Sequence, residues 1–517
     1  MEDVIIVGGG PVGLLLACEL KLAGADPLVL EAADGERRRT RSLGLRSLNA
    51  RTMQSLALRG LVEPVERAQW EMLDNLSAER QDPGEAGDVV ALMLEILRKG
   101  QVRGHFAGLP ILDPEGNAQY VMLRQDRLEE LLAERATAMG VRIRQGCAVT
   151  DVVQDGSSVT AVLDDGRAVR GAYLAGCDGG RSVVRKRAGF AFDGTPPTMT
   201  GRTAVAELAD PSMVTSSLRG PGGLVNLSLV PGEIATIEFD GGPGDRDTPV
   251  TAAELQDSLQ RVTGKDVVVR RLVTGIRYSD NARHAESYRK GRVLLAGDAA
   301  HVHSPIGGQG LNLGLQDAFN LGWRLGLVAR GAAPQSLLDR YTAERHPVAA
   351  RVLRNARAQV ALMRPGAQVD ALREVLGEVI GLPEAWQHFA GMMDGTAIDY
   401  APGAAVPLTG RFVPAGLPLT GPAGVAELLR DGHGLLIGGS VPGVEATGPG
   451  ARPGGLEAVL AGHGDRVRFA RAEAGADLGG ASALLVRPDG YVAWAGEPDG
   501  ARDALTTWFG PPAAAAA

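Results

Sequence analysis

Val4-Ile5-Ile6-Val7-Gly8-Gly9-Gly10-Pro11-Val12-Gly13, continued by the apolar run Leu14 to Ala23, decides the fold of this 517-residue chain. Four β-branched residues in succession favour a short strand, the glycines turn the chain, and the run that follows reads as a helix. Gly24-Ala25-Asp26 reverses it into a second strand, Pro27 to Leu30, which ends at Glu31. The result is a βαβ unit at the start of the chain. Within it Gly8-x-Gly10-x-x-Gly13 has a physical logic: Gly8 permits a tight turn, Gly10 lets backbone approach a pyrophosphate, and Gly13 allows the helix to pack closely on the strand. The helix start, at Pro11 and Val12, offers unpaired N–H groups to phosphate. Glu31, eighteen residues after Gly13, can accept hydrogen bonds from ribose hydroxyls. A dinucleotide is the predicted ligand.

A second stretch chooses the dinucleotide. Arg292 to Ala296 reads as a strand, followed by Gly297-Asp298-Ala299-Ala300-His301, by Pro305-x-Gly307-Gly308-Gln309-Gly310-Leu311-Asn312, and by a helix from about Leu311 to Arg330. Asp298, just past a strand, can take a ribityl hydroxyl. Gly307, Gly308 and Gly310 form a loop of little bulk against which a flat ring can lie. The helix start beyond it would stabilise negative charge on the N1–C2 edge of a reduced flavin. These features point to FAD. His301 and His303 flank the loop; a base there is conceivable, but structural histidines are the preferred reading.

The remainder is globular, 44% hydrophobic and 22% charged, with 71 glycines. The net charge of −8 and the lack of an extended basic run argue against nucleic acid. No stretch of about 18 apolar residues suggests a membrane span, and no basic leader precedes residues 4–18, so a cytoplasmic protein is expected. Cys18, Cys147 and Cys177 show neither disulfide nor zinc spacing and read as inert thiols. Residues 50–60, 89–98 and 126–139 read as helices, with a loop over residues 81–88, and residues 141–174 as a strand meander. Residues 195–275 alternate as β structure around one helix, 252–262. Further helices run through 334–362 and 368–391. Pro/Gly-rich residues 401–422 mark a boundary before a small α/β unit, whose Ala-rich end is expected to be disordered.

With Asp178-Gly179-x-x-Ser182-x-x-Arg185 added, the N-terminal glycines, Gly297-Asp298 and the stretch Arg292 to Trp323 resemble the class A flavoprotein monooxygenases of the p-hydroxybenzoate hydroxylase fold. The resemblance covers residues 1 to about 350 and is nearest to actinobacterial oxygenases that tailor anthracycline- and angucycline-type polyketides. It implies an α/β protein: a Rossmann-type FAD domain (1–66, 119–190, 276–370), an interleaved β-sheet substrate domain (67–118, 191–275), a helical connection (371–400) and a thioredoxin-like C-terminal domain (401–517). That last domain holds no cysteine, which excludes dithiol chemistry and leaves a structural role or an oligomer contact, with a homodimer open. The resemblance also implies that Arg41 lies along the pyrophosphate and flavin, that Gln125 touches the cofactor, that Asp178-Gly179 serve FAD and a transient NADPH or NADH, and that Leu311 and Asn312 present backbone to the flavin. The implied reaction is hydroxylation of a polycyclic aromatic polyketide in antibiotic biosynthesis, with dioxygen activated as a flavin C4a-hydroperoxide. Baeyer–Villiger insertion on the same scaffold and a non-oxygenating flavin oxidoreductase are the alternatives.

Overall fold

The computed structural model describes residues 1–34, 43–78, 85–214, 217–245, 248–439 and 455–513. Its organising element is a parallel sheet. Strands β1 (Glu2–Val7), β2 (Pro27–Leu30), β3 (Arg142–Arg144), β4 (Ala168–Gly176) and β5 (Val293–Leu295) lie in the order β5-β4-β1-β2-β3. Every neighbouring pair is parallel, with Val4 beside Tyr173 and Pro27, Leu28 beside Arg142, and Leu174 beside Val293. Val4 to Val7 and all of β2 are buried, as expected of strands covered on both faces. The antiparallel pair Val149–Gln154 and Val159–Leu163 extends the sheet from β4.

Two helices press on this sheet. The helix α1 (Pro11–Leu22) lies along α2 (Gln309–Ala329), from nearly three hundred residues later. Their approach depends on three glycines of α2. A Cβ on Gly314 would stand 2.7 Å from Val12, one on Gly322 2.3 Å from Glu19, and one on Gly326 2.4 Å from Ala23. A third long helix, α3 (Asp339–Met363), reaches the sheet through Tyr341, whose hydroxyl donates to Leu295 O at 2.9 Å.

A second, antiparallel sheet has the order 218–220, 223–227, 233–238, 200–208, 269–279. One face carries the helix Ala252–Thr263 through Leu255, Leu259 and Val262. The other face presents Leu224 and Ile237 with Met199, and against these pack Phe239, Tyr278, Ile306 and Met363. Ile306 belongs to the glycine loop, so the two sheets meet at the loop that sequence reasoning singled out.

Residues 62–78 form a helix that the sequence pattern did not suggest, and the helix read at 89–98 begins at Glu85. The predicted loop over 81–88 is therefore corrected at 85–88, while 81–84 lie outside the described residues. The reason is tertiary: Leu73, Leu94 and Leu97 bury one another against Tyr120 and Met122, which favours helix over the Pro/Gly turn signal.

The C-terminal unit is a four-stranded sheet in the order 467–471, 434–438, 483–486, 492–496, with the first pair parallel and the rest antiparallel. The Ala-rich end from residue 514 lies outside the described residues. The unit shares a hydrophobic cluster with the parallel-sheet domain through Leu436, Leu485, Leu505 and Phe509. Buried charge ties the two together. Glu344 of α3 accepts from Arg324 at 2.7 Å and from Arg487 at 2.9 and 3.0 Å, and Arg59 donates to Glu19, to Leu429 O and to Pro488 O. The Pro/Gly stretch is thus a connection between packed units rather than a hinge.

Burial alone would raise the Glu344 pKa, but Arg324 and Arg487 hold it at about 2, against an ordinary 4.5. A depressed folded pKa stabilises the protein above the unfolded value, and the contribution is lost as pH falls from about 4.5 toward 2. Glu344→Gln is expected to cost on the order of 3 kcal/mol at neutral pH and to flatten stability over that acid range. Urea unfolding at several pH values checks this; an unchanged acid profile would show that Glu344 does not carry the linkage.

Candidate active site

The three motif glycines do different work. Gly8 has φ +109°, and a Cβ there would lie 2.3 Å from Cys177 O; at Gly13 it would lie 2.0 Å from Gly8 O. Both positions are demanded by backbone packing. At Gly10 a Cβ would meet nothing within 4 Å, so this backbone faces open space. Gly10 precedes Pro11, the first residue of α1, and no side chain caps this helix start. Glu31 ends β2 beside the turn, where its Oε2 accepts from Gly9 N–H at 2.6 Å and its Oε1 from Ala33 N–H at 2.8 Å.

Across the sheet, Gly297 has φ +62° and packs against Val12, so the second motif touches the first. From Val293 to His301 every residue is buried except Asp298. Among the described residues nothing hydrogen-bonds or ion-pairs with its carboxylate, which leaves it free for a ligand. Beneath the turn lies Asp317 of α2. Its Oδ2 accepts from Gly297 N–H at 3.0 Å and His301 Nε2 at 2.7 Å, and its Oδ1 accepts from Arg345 Nε at 2.7 Å. Burial would raise the Asp317 pKa, yet Arg345 and His301 hold it below the ordinary range. His301, fully buried, is a strut of this network. His303 donates from Nδ1 to Ser304 O at 2.7 Å, and burial pushes its pKa down.

The glycine loop differs in rationale from the sequence reading. Gly307 and Gly308 have φ +88° and +64°, and Cβ atoms there would lie 2.6 Å from Gln359 Nε2 and from Ser47 Oγ. These glycines are needed because the loop is pressed onto α3 and onto the strand Leu45–Leu48. Gly308 N–H closes the turn onto Pro305 O at 3.1 Å. Gly308 is the N-cap of α2, whose first residue, Gln309, comes two residues before the predicted helix start, and no side chain caps it. The first-turn N–H groups, through Gly310 and Leu311, therefore lack the usual side-chain acceptor. Asn312 contributes more than backbone: its Nδ2 donates to Ser47 O at 2.8 Å and Gly308 O at 3.0 Å, and its Oδ1 accepts from Asn49 N–H at 2.9 Å.

The motif at 178–185 is largely satisfied within itself. The Asp178 carboxylate accepts from Ser182 Oγ at 2.5 Å, Val183 N–H at 2.7 Å and Val184 N–H at 3.1 Å. Burial raises its pKa against these bonds. Gly179, φ +75°, faces open space. Arg185 donates to Gly180 O and to Ala299 O at 2.9 Å, joining this motif to the Asp298 turn. Gln125 is engaged by protein: its Oε1 accepts from Arg46 Nε at 3.0 Å and its Nε2 donates to Glu129. Arg46, which the sequence reading missed, is a half-buried guanidinium near Asp298 and Glu233, and partial burial lowers its pKa. Its only sequence signal was an arginine in a β-like run. Arg41 lies outside the described residues. Burial pushes the Cys18 thiol up to about 12 and Cys177 higher still, which disfavours the thiolate at both.

Residues 1–356 match the family described as FAD binding domain, and residues 406–512 match the one described as aromatic-ring hydroxylase, C-terminal. The chain belongs to this FAD-binding family, in the company of full-length FAD-dependent monooxygenases. The chain is 39% identical, over 99% of both chains, to the 12-dehydrotetracycline 5-monooxygenase/anhydrotetracycline 6-monooxygenase of Streptomyces rimosus. It is 37% identical to the rifampicin monooxygenase of Streptomyces venezuelae, again over 99% of both. The solved anhydrotetracycline hydroxylase of Streptomyces rimosus superposes with a TM-score of 0.81, at 37% identity and 99% coverage of each chain. The chain is an FAD-dependent monooxygenase. Among the described residues no helix is long and apolar enough to cross a membrane, and no cluster of side chains could hold a metal ion.

Proposed function

We propose that this monooxygenase hydroxylates a polycyclic aromatic polyketide in antibiotic biosynthesis, using dioxygen and NADPH or NADH. The observation that carries the substrate class is the seat of Ile306: the flavin loop abuts an apolar sheet face of Leu224, Ile237, Phe239 and Tyr278. A flat fused-ring molecule has the shape for such a wall, and the full-length relatives named for tetracyclines support the choice.

The geometry supports a role for each residue. The uncapped start of α1 and the open backbone at Gly10 would receive the pyrophosphate of FAD, and Glu31 the adenosine ribose. Asp298, free and exposed, would take the ribityl chain. The start of α2, at Gly310, Leu311 and Asn312, would face the pyrimidine edge of the flavin, where its dipole favours negative charge. When bound, FAD supplies hydride acceptance and the activation of dioxygen. The protein's share is to hold the ring against the Pro305–Gly308 loop and, with the sheet face, to exclude water. Three cysteines without a disulfide among the described residues accord with a reducing compartment, and we place the enzyme in the cytoplasm.

Oxygen uptake tests this reading. With NADPH, anhydrotetracycline is expected to accelerate consumption at least about tenfold over enzyme alone, as a bound substrate gates such chemistry. NMR of the product should show a new hydroxyl on an intact ring. A lactone would reassign the reaction to Baeyer–Villiger insertion, and no substrate-dependent uptake with any aromatic polyketide would reject the proposal.

A further inference from the structure

The end of the apolar face farthest along α3 carries two guanidiniums, of Arg364 and Arg373, that ion-pair with no carboxylate among the described residues. Arg364, half-buried at the C-cap of α3, stacks over Phe239 at 4.8 Å and donates from Nη2 to Thr198 Oγ1 at 2.8 Å. Among the described residues no carboxylate pairs with it. Asp280 does not serve: its oxygens accept from Thr198 N–H and Oγ1 at 2.6 Å and from Met199 N–H at 3.0 Å. The chain Asp280–Thr198–Arg364 thus fixes the guanidinium in place without neutralising it.

Two neighbours repeat the pattern. Arg373 donates to Ala107 O at 2.6 Å and Leu362 O at 3.1 Å, again with no carboxylate among the described residues. Gln359, fully buried on α3, accepts from Ala107 N–H at 3.0 Å through Oε1, while its Nε2, beside Gly307, finds no acceptor. Ala107 is held with φ +53°, the one positive-φ residue other than glycine among the described residues. Such conformations persist where their surroundings enforce them, and they gather at ligand sites. Donors in excess, a guanidinium without a counter-ion, and an enforced hairpin tip all border the same apolar patch: Met363, next to Arg364, packs with Ile306 and Tyr278.

A half-buried guanidinium that meets no carboxylate among the described residues suits an anionic ligand. We infer that the partner is the substrate, and that Arg364 selects an aromatic ligand bearing an ionised oxygen, a phenolate or the enolate of a 1,3-diketone, seated on the Phe239–Met363 patch. Gln359 Nε2 offers a second donor toward the flavin loop. This rests on the aromatic polyketide reading above and adds the charge state and the residue that reads it.

The test is binding of two anthraquinones to the FAD-loaded enzyme, followed by the visible spectrum of the flavin at mildly alkaline pH. Alizarin is ionised there; its 1,2-dimethyl ether cannot be. The wild type is expected to hold alizarin at least about tenfold more tightly than the ether, the scale of one charge-assisted contact. Arg364→Met should abolish that preference, and Arg364→Lys should restore much of it. FAD content, read from the same spectra, reports whether each variant is folded. A preference retained in Arg364→Met, or absent from the wild type, overturns the inference. If neither anthraquinone binds the wild type, the polyketide reading fails as well, an outcome distinct from equal binding of both.

Discussion

Asp317→Ala is expected to remove about 3–5 kcal/mol from the stability of the FAD-binding domain, the cost of breaking a buried ion pair from one side. Asp317 and its partners Arg345 and His301 are fully shielded from solvent. The substitution strands the Arg345 guanidinium, which among the described residues keeps only Leu313 O and the Tyr400 hydroxyl as acceptors. It also releases Gly297 N–H, the bond that shapes the turn presenting Asp298. Loss of stability and loss of FAD should therefore appear together. Asp317→Asn, which keeps the shape but not the charge, is expected to fall between the two. Urea unfolding followed by circular dichroism, with flavin fluorescence on the same samples, measures both quantities. A stability for Asp317→Ala within about 1 kcal/mol of wild type would mean that the network contributes little.

The second large effect contrasts two glycines only three positions apart. Gly13→Ala places a methyl 2.0 Å from Gly8 O, a backbone atom that cannot swing away. Helix α1 must then lift from β1, and overpacking of this kind costs about 1–3 kcal/mol or more. Apoprotein stability should drop. Gly10→Ala places its methyl in open space, so the apoprotein should unfold as wild type does. The methyl would nevertheless stand where the pyrophosphate must approach, and the Kd for FAD should rise at least about tenfold. Thermal unfolding of the apoproteins and fluorescence titration with FAD separate the two outcomes. If Gly10→Ala bound FAD like wild type, the phosphate-binding role of this turn would be wrong.

Much of the site was legible because its chemistry is local. A strand, a glycine turn and a helix start within some thirteen residues are a sufficient description of a phosphate-binding corner. Asp298 was legible for the same reason, since its exposure depends on a tight turn written in adjacent residues. Asp178 was singled out as part of a motif, but the partners of its carboxylate were not legible, because Ser182 and two backbone N–H groups compete for it only once the turn has closed. The glycine loop was found by composition, while the cause of its glycines was not: Gln359 and Ser47 press on it from segments far away in sequence.

By itself, then, the sequence determined the parallel-sheet fold, the dinucleotide and the choice of FAD, because strand pattern, turn chemistry and helix dipole act over short stretches of chain. Only the tertiary structure decided that Asp317 underpins Asp298, that Gly314, Gly322 and Gly326 let α1 and α2 touch, and that Arg364 stands uncompensated at the end of an apolar wall. Those are statements about whether a buried group has a partner, and such partners come from segments up to three hundred residues apart. No local pattern encodes that pairing; packing creates it, and packing sets what each unpaired charge costs.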